Sequence, residues 1–421
     1  MKRLIYACLL FIGVSTWQIS AQGGYHAYVD ASDKDKRDIT QLKEEIKADL
    51  TGNILHFWAK YAPDPAGGFY GQLNYDGSPR ANAPKAGILN ARILWTFSSA
   101  YRLLGDEQYK QLADRAQRYI LDHFVDKKYG GTYLLLKADG TPLDSTKMVY
   151  QNAFAIYGLS EHYRATGNAE SLQAAIAVYQ TLIKYAYDPV YKGFIETCTR
   201  EWKEIPTREP KTMNTNLHVL EALTNLYRVW KDEGLREMLR EEIDVMANKV
   251  LNRKTWHEQL YFTNDWQSLR NIDSYGHDIE YSWLMTEAAE VLGNVRVLED
   301  IRHVAVNMAE VQLQQGFDKN GGMMYEKDGE HLNNGLEWWP QAESVVGYLN
   351  AWQISGERKY LDTAIRSWNW IKKYMIDKEY GEWYRTVSPD GTPSVRRPKA
   401  DQWRCPYHNS RMGFEVLIRF P

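Results

Sequence analysis

The sequence is short of cysteine, with three in 421 residues, at Cys8, Cys198 and Cys405. That is too few for a disulfide scaffold, and the body of the chain allows at most one bridge, between Cys198 and Cys405. Charge of neither sign dominates: 51 Lys and Arg stand against 54 Asp and Glu. Without a basic surplus, no nucleic-acid partner is expected. No stretch approaches the ~20 apolar residues that a membrane span needs, so no span is expected. A Gly-rich phosphate loop, a dinucleotide fingerprint and a Ser nucleophile elbow are all missing. No Pro- or Ser-rich linker breaks the chain into parts, which favours a single domain despite the length.

Aromatic residues are plentiful, at 15 Trp and 29 Tyr. Flat rings stack on the apolar faces of pyranoses, and they equally build cores, so both readings stand at this point. Lys2 and Arg3 precede the apolar run LIYACLLFIGV and a small residue at Ala21. This is the pattern of a secretory signal over residues 1–21, cut after Ala21, and it predicts export to the periplasm or the medium. Residues 22–38 are polar and expected to be flexible, which leaves 39–421 as the folded domain.

Gly–aromatic segments recur along that domain: GGFYGQLNYDGSP from Gly67, GGTYLLLKADGTP from Gly130, KGFIETCTREWK near Gly193, LYFTNDWQSL near Leu260, GGMMYEKDGE from Gly321 and GEWYRTVSPDGTP from Gly381. Short alternating runs broken by DG or GxP turns read as small β-hairpins. Between them lie helical patterns. AGILNARILWTFSSAYRLLGD aligns Leu94, Phe97, Tyr101 and Leu104 on one stripe and stops at Gly105, and similar helices end at Gly167, Gly234, Gly293 and Gly356. Each is followed by a more charged, amphipathic helix. An opening helix near Thr40–Tyr61 and a closing one near His408–Phe420 complete a sixth pair. Six pairs with joined ends predict an all-α (α/α)6 barrel, apolar helices inside and amphipathic helices outside.

Polar residues interrupt the inner helices. Arg92 lies in the first, Gln151 and Asn152 in the second, and Asn214 and His218 in the third. The fourth, SYGHDIEYSWLM, carries His277 and Glu280 three residues apart, hence on one face. The fifth carries Trp338, Trp339, Pro340, Gln341 and Glu343, and the sixth follows Trp403 and carries His408 and Arg411. All fall in the first half of their helices, so parallel inner helices would bring them to one mouth. Each taken singly is as well explained as a cap or a packing residue. His26, His56, His123, His162, His257, His303 and His331 fall on outer helices or loops and are read as structural.

Such a mouth suits several chemistries. Zinc commonly takes HExxH, and His277 with Glu280 offers H-x-x-E without a second histidine one turn on. No metal is expected, with His218, His277 and His408 as the alternative ligand set. A glycoside hydrolase would need paired carboxylates, for which Glu280 and Glu343 could serve. Two histidines on opposite sides of a sugar suit proton removal and return at a carbon next to a carbonyl, with Arg92 and His218 stabilising the anion.

NARILWTFSSAYR, KTMNTNLH, SYGHDIE, WWPQAESVVGY and CPYHNSRM, in that order along the chain, resemble the cellobiose 2-epimerase family, part of the wider N-acylglucosamine 2-epimerase group. The resemblance spans about residues 39–419. It implies an (α/α)6 barrel, no cofactor, and interconversion of glucose and mannose configurations at C2 of the reducing end of β-1,4-linked disaccharides such as cellobiose, mannobiose or lactose. It implies that His277 and His408 are the acid/base pair and that His408 assists ring opening. Arg92 and His218 would hold the carbonyl oxygen, and Glu280 would orient the neighbouring histidine and bind a hydroxyl. Asn214, Tyr133, Trp339 and Trp403 would contact the sugars, and Asn152, Trp338, Glu343 and Arg411 complete the expected binding set. Leu134 stands where relatives carry an aromatic, and Pro340 where they carry an aliphatic residue. The alternatives are an N-acylglucosamine 2-epimerase or mannose isomerase, then a hydrolase or a non-catalytic sugar binder. The partner expected is an oligosaccharide, and the chain is expected to be a monomer.

Overall fold

The computed structural model describes residues 31–421, so the signal segment, the expected cut after Ala21 and His26 lie outside the described residues. Helix α1, Asp33–Asp49, begins earlier than the expected Thr40. Its start is set by a capping box: Ser32 accepts from Asp35 N, and the Asp35 side chain answers to the Ser32 backbone. Residues 33–38, within the segment expected to be flexible, therefore form the first turns of a helix. A π-helical turn over Leu50–Leu55 carries α1 into α2, His56–Tyr61.

Five helix pairs follow: α3 (Gly87–Leu104) with α4 (Glu107–Tyr119), α5 (Val149–Thr166) with α6 (Ala169–Tyr185), and α7 (Met213–Val229) with α8 (Glu233–Val245), then α9 (Tyr275–Leu292) with α10 (Val295–Gln315), and α11 (Trp338–Ser355) with α12 (Arg358–Trp370). Helix α13, Tyr407–Arg419, closes the series. The odd-numbered helices from α3 to α13 contact one another in succession, α13 returns to α3, and α1 packs outside α13. This is the closed (α/α)6 barrel. The family of short strands between pairs adds only small sheets.

The two rings differ in burial as their sequences require. Helix α3 is buried on all sides from Gly87 to Ala100 rather than along one stripe. In the outer helix α4 only Tyr109, Ala113, Ala116, Gln117 and Tyr119 are buried, one face of an amphipathic element. Gly105, Gly167, Gly293 and Gly356 end their helices in the left-handed conformation, with φ between 73° and 75°. Gly234 does not. Helix α7 stops at Val229, and the Asp232 carboxylate caps α8 through Leu235 N, so Gly234 becomes part of the next helix's first turn.

The hairpins are shorter than the pattern suggests, and they stitch neighbours together. The two residues leading into an inner helix pair with the hairpin of the next repeat: Lys85↔Leu136, Lys147↔Cys198 and Lys211↔Phe262. Each of these lysines is buried against an aspartate of its own hairpin, Lys85–Asp64 at 2.7 Å, Lys147–Asp126 at 3.1 Å and Lys211–Asp188 at 2.7 Å, and Lys399–Asp377 repeats the device at 2.7 Å. First-turn side chains of the inner helices hold the same loops. Asn152 Oδ1 accepts from Thr132 N, Asn216 Oδ1 from Phe194 N, and Gln341 Oε1 from Met323 N. Cys198 and Cys405 are both buried and free, so the one conceivable bridge is not made.

Candidate active site

The N-terminal turns of the six inner helices converge on a cavity of about 430 Å³. Arg92, Asn214, His218, His277, Glu280, Trp338, Trp339, Trp403 and His408 line it, nine of the thirteen positions singled out from sequence. The other four do not. Tyr133 lies under a neighbouring hairpin, where its hydroxyl accepts from Arg200 Nη2 at 2.9 Å. Asn152 is occupied by the Thr132 and Met148 backbone. Glu343 and Arg411 sit beneath the floor and act on the lining residues from below. The loops add lining residues that no helical period could flag: Tyr325, Asn333, Glu337, Arg385 and Arg397, together with Tyr150 from α5.

His277 and His408 line this same space, each with its ring close to Trp339. Their ring centroids lie 4.6 and 5.5 Å from that indole, so the two imidazoles can be no farther apart than the sum of those distances. The partner of His277 is not the one expected. Its Nδ1 lies 2.7 Å from Ser274 Oγ, whereas the Glu280 carboxylate turns away to Arg411 Nη2. Three-residue spacing put histidine and glutamate on one helical face, but a guanidinium on α13 outcompetes a neutral imidazole for a buried carboxylate. Glu280 lies 3.8 Å from His408 Nδ1 instead.

His408 donates Nδ1–H to Glu343 Oε1 at 2.7 Å. Glu343 also accepts Arg411 Nη2 at 2.6 Å and Trp283 Nε1 at 2.9 Å. Both of its oxygens thus receive N–H donors, which fixes the His408 tautomer and leaves a lone pair on Nε2. The same H-x-x-E spacing occurs a second time, at His218 and Glu221, and there the pair does form, His218 Nδ1 to Glu221 Oε2 at 2.9 Å. Glu221 was not singled out from sequence, although the repeated spacing was its signal.

Charge in this enclosure follows from burial. Burial first, then the neighbouring His218, pushes His277 down to about 3. Burial, Arg411 and Arg92 hold His408 well below the usual imidazole range. Both rings are neutral in the free site rather than titrating near neutrality as an exposed histidine does. Burial and the adjacent Glu343 raise Glu280 to about 7. Burial works the same way on Glu221, yet Arg411 and His218 more than offset it and hold that carboxyl at about 2.

Among the described residues, one group of metal-type donors lies close together, Glu280, Glu343 and His408, with donor atoms within 4.8 Å of one another. The Arg411 cation already donates to both carboxylates, so the position a divalent ion would take is filled by a guanidinium. The alternative ligand set keeps other partners: His277 has Ser274 and His218 has Glu221. What the cavity does offer is unmet hydrogen bonding. Asn214 Oδ1, Arg92 Nε, Arg385 Nε and Trp338 Nε1 are buried without a protein partner, and all four residues line it. Buried polar atoms seldom stay unpaired, and such a set marks a polyhydroxylic ligand better than an apolar one. Arg92 is itself held by Tyr150, whose hydroxyl accepts from Nη2 at 2.6 Å, and by the faces of Phe154 and Tyr407 at 4.1 and 4.6 Å. Trp403, 39% exposed, stands at the mouth.

Residues 68–409 match the family model described as N-acylglucosamine 2-epimerase (GlcNAc 2-epimerase). The chain is 45% identical over 387 residues to a cellobiose 2-epimerase of Bacteroides fragilis, covering 89% of this chain and 98% of that one. It is 37% identical over 384 residues to a cellobiose 2-epimerase of Ruminococcus albus, covering 89% and 98%. Among solved structures, the cellobiose 2-epimerase of Bacillus thermoamylovorans superposes with a TM-score of 0.87 at 38% identity, over 90% of this chain and 100% of the other.

Proposed function

This chain belongs to the N-acylglucosamine 2-epimerase family, and from that premise we propose that it epimerises the reducing-end sugar of β-1,4-linked disaccharides through an enediolate shared between His277 and His408. It is a carbohydrate 2-epimerase, an isomerase, and the relatives at 37–45% identity make its substrate a disaccharide. Cellobiose, mannobiose and lactose are the substrates proposed. What supports the mechanism is one observation: two imidazoles, each beside Trp339, line a single cavity that Arg92 and His218 also line.

In the opened aldose, C2 lies next to the C1 carbonyl. A neutral imidazole takes the C2 proton on one face. The electron pair moves to the carbonyl oxygen, where Arg92 and His218 neutralise it. The other imidazole, neutral in the free site, takes a proton from solvent once the negative enediolate has raised its basicity and delivers it to C2 on the opposite face, while the first ring returns its proton to solvent and the centre is inverted. Low imidazole basicity in the free site keeps each ring ready to act as base, and the negative intermediate raises the basicity of both when it forms. Incubation with cellobiose or mannobiose in heavy water tests this. Deuterium at C2 together with the 2-epimer is expected, and its loss in His277→Ala and His408→Ala. Product without label, or ketose as the main product, overturns it.

We also propose export, on the strength of the basic start at Lys2 and Arg3 and the apolar run before Ala21. Cell fractionation and N-terminal sequencing should find a mature chain starting at Gln22 outside the cytoplasm, and full-length protein retained inside refutes it. Among the described residues no helix is long and apolar enough to cross a membrane. The protein is proposed to act as a monomer, which light scattering checks against 48.9 kDa for the full chain.

A further inference from the structure

We propose that Arg385 recognises the sugar that does not react: an unused edge of its guanidinium takes two neighbouring hydroxyls of the outer pyranose of the disaccharide, an inference that rests on the epimerase reading above. Arg385 stands just before the short strand Thr386–Val387 and lines the cavity. Among the described residues, only Nη1 of its three guanidinium nitrogens has a protein partner, the Asp401 carboxylate. Nε is buried with none. Nε and Nη2 share one edge of the planar group, so that edge keeps two parallel N–H donors for a ligand.

The edge is fixed before any ligand arrives. The Arg385 carbonyl accepts Trp338 N at 3.0 Å, which ties its backbone to the first turn of α11. Asp401 holds the far end of the side chain, and the other Asp401 oxygen accepts Trp403 N and Arg404 N, both at 2.8 Å. One carboxylate thus orients the guanidinium and sets the turn that carries Trp403 at the mouth. A donor already ordered loses little freedom when it binds. Position indicates which sugar it meets. The reacting carbon belongs beside His408, whose ring is 6.2 Å from Trp338, and the Arg385 guanidinium lies 5.6 Å from that same indole. Arg385 and Arg397 also line a shallow pocket on the outer surface with the exposed Tyr75 and Tyr380, which puts them in the outer wall of the cavity. Asp401 balances the charge of Arg385, so a neutral ligand with two adjacent oxygens suits the edge better than a free anion. Adjacent pyranose hydroxyls supply that pair. Trp338 Nε1, buried without a protein partner in a residue that lines the same cavity, adds a further donor.

Arg385→Met removes the edge. With wild type active on cellobiose, KM is expected to rise on the order of 10-fold while kcat stays within about threefold, because contacts to the outer sugar form alike in the ground and transition states. The decisive comparison uses cellobioses that lack one hydroxyl of the outer sugar at a time. Two of them, altered at neighbouring carbons, should each cost wild type on the order of 10-fold in kcat/KM and cost Arg385→Met less than about twofold. An unchanged KM overturns the inference. Equal deoxy losses in both proteins overturn it too, since Arg385 would then only shape the wall. Arg385→Lys keeps a cation beside Asp401 without the planar fork. Should the Met variant fail to fold, the Lys variant carries the same comparison, and wild-type KM and deoxy losses in it overturn the inference. Failure of the epimerase reading shows up separately, as absence of deuterium uptake by the wild-type protein.

Discussion

Glu280→Gln should stabilise the folded protein while disabling it, and the size of the effect depends on pH in a way the structure fixes. Glu280 is 1% exposed. Burial and the nearby Glu343 raise its folded carboxyl from 4.5 to about 7, even though Arg411 and His218 pull the other way. A carboxyl whose folded value exceeds its unfolded value binds more protons folded than unfolded between those two values. Stability contributed by this group is therefore fully present below pH 4.5 and lost as pH rises through 7. At 1.36 kcal/mol per unit, the cost of ionising Glu280 in the fold reaches about 3 kcal/mol above neutrality. Glutamine cannot ionise, and its Oε1 still accepts from Arg411. Urea unfolding of both proteins at several pH values between 5 and 8 measures the difference. The variant should gain on wild type by about 2.5 kcal/mol between pH 5 and 8, most of it below pH 7, while losing C2 labelling. A difference that stays flat with pH, or one that turns against the variant as pH rises, would show that Glu280 is a comfortably ionised partner of Arg411 and would refute the reasoning.

Ser274→Ala removes the one side-chain partner of His277 Nδ1 and should lower kcat about tenfold through misorientation of the ring, with little change in unfolding free energy. Gly276→Ala would set a Cβ 2.6 Å from the Trp339 ring and 2.8 Å from Pro340 Cγ, so the indole beside both histidines must shift; kcat/KM should fall on the order of 100-fold, read by C2 deuterium exchange. Lys147→Met leaves Asp126 buried with Arg200 as its remaining cation and should cost about 3–5 kcal/mol in urea unfolding, where a change below about 1 kcal/mol would mean the repeated Lys–Asp pair contributes little.

The barrel was legible because its inner and outer helices carry different periodic patterns and because glycine ends helices by taking a left-handed conformation. Gly234 misled for the same reason: the glycine rule reads only one residue, and the Asp232 carboxylate decided the boundary two positions earlier. The mouth was legible as a set of polar interruptions in apolar helices. That signal does not separate Asn214, whose Oδ1 waits in the cavity, from Asn152, whose Oδ1 is taken by a loop N–H. Both uses require a polar side chain in a first turn. Pairings were the least legible part. The partner of Glu280 lies 131 residues away on α13, so no spacing within SYGHDIE could reveal it. Arg385, Arg397 and Tyr325 come from irregular segments, where no period distinguishes a rim residue from any other.

The ring of helices is locked by its two extremities, α1 lying against α13 and α13 against α3. His408, one of the two imidazoles proposed as acid and base, is carried on that last helix. Helix α13 must therefore be made and docked against α3 before the cavity is complete.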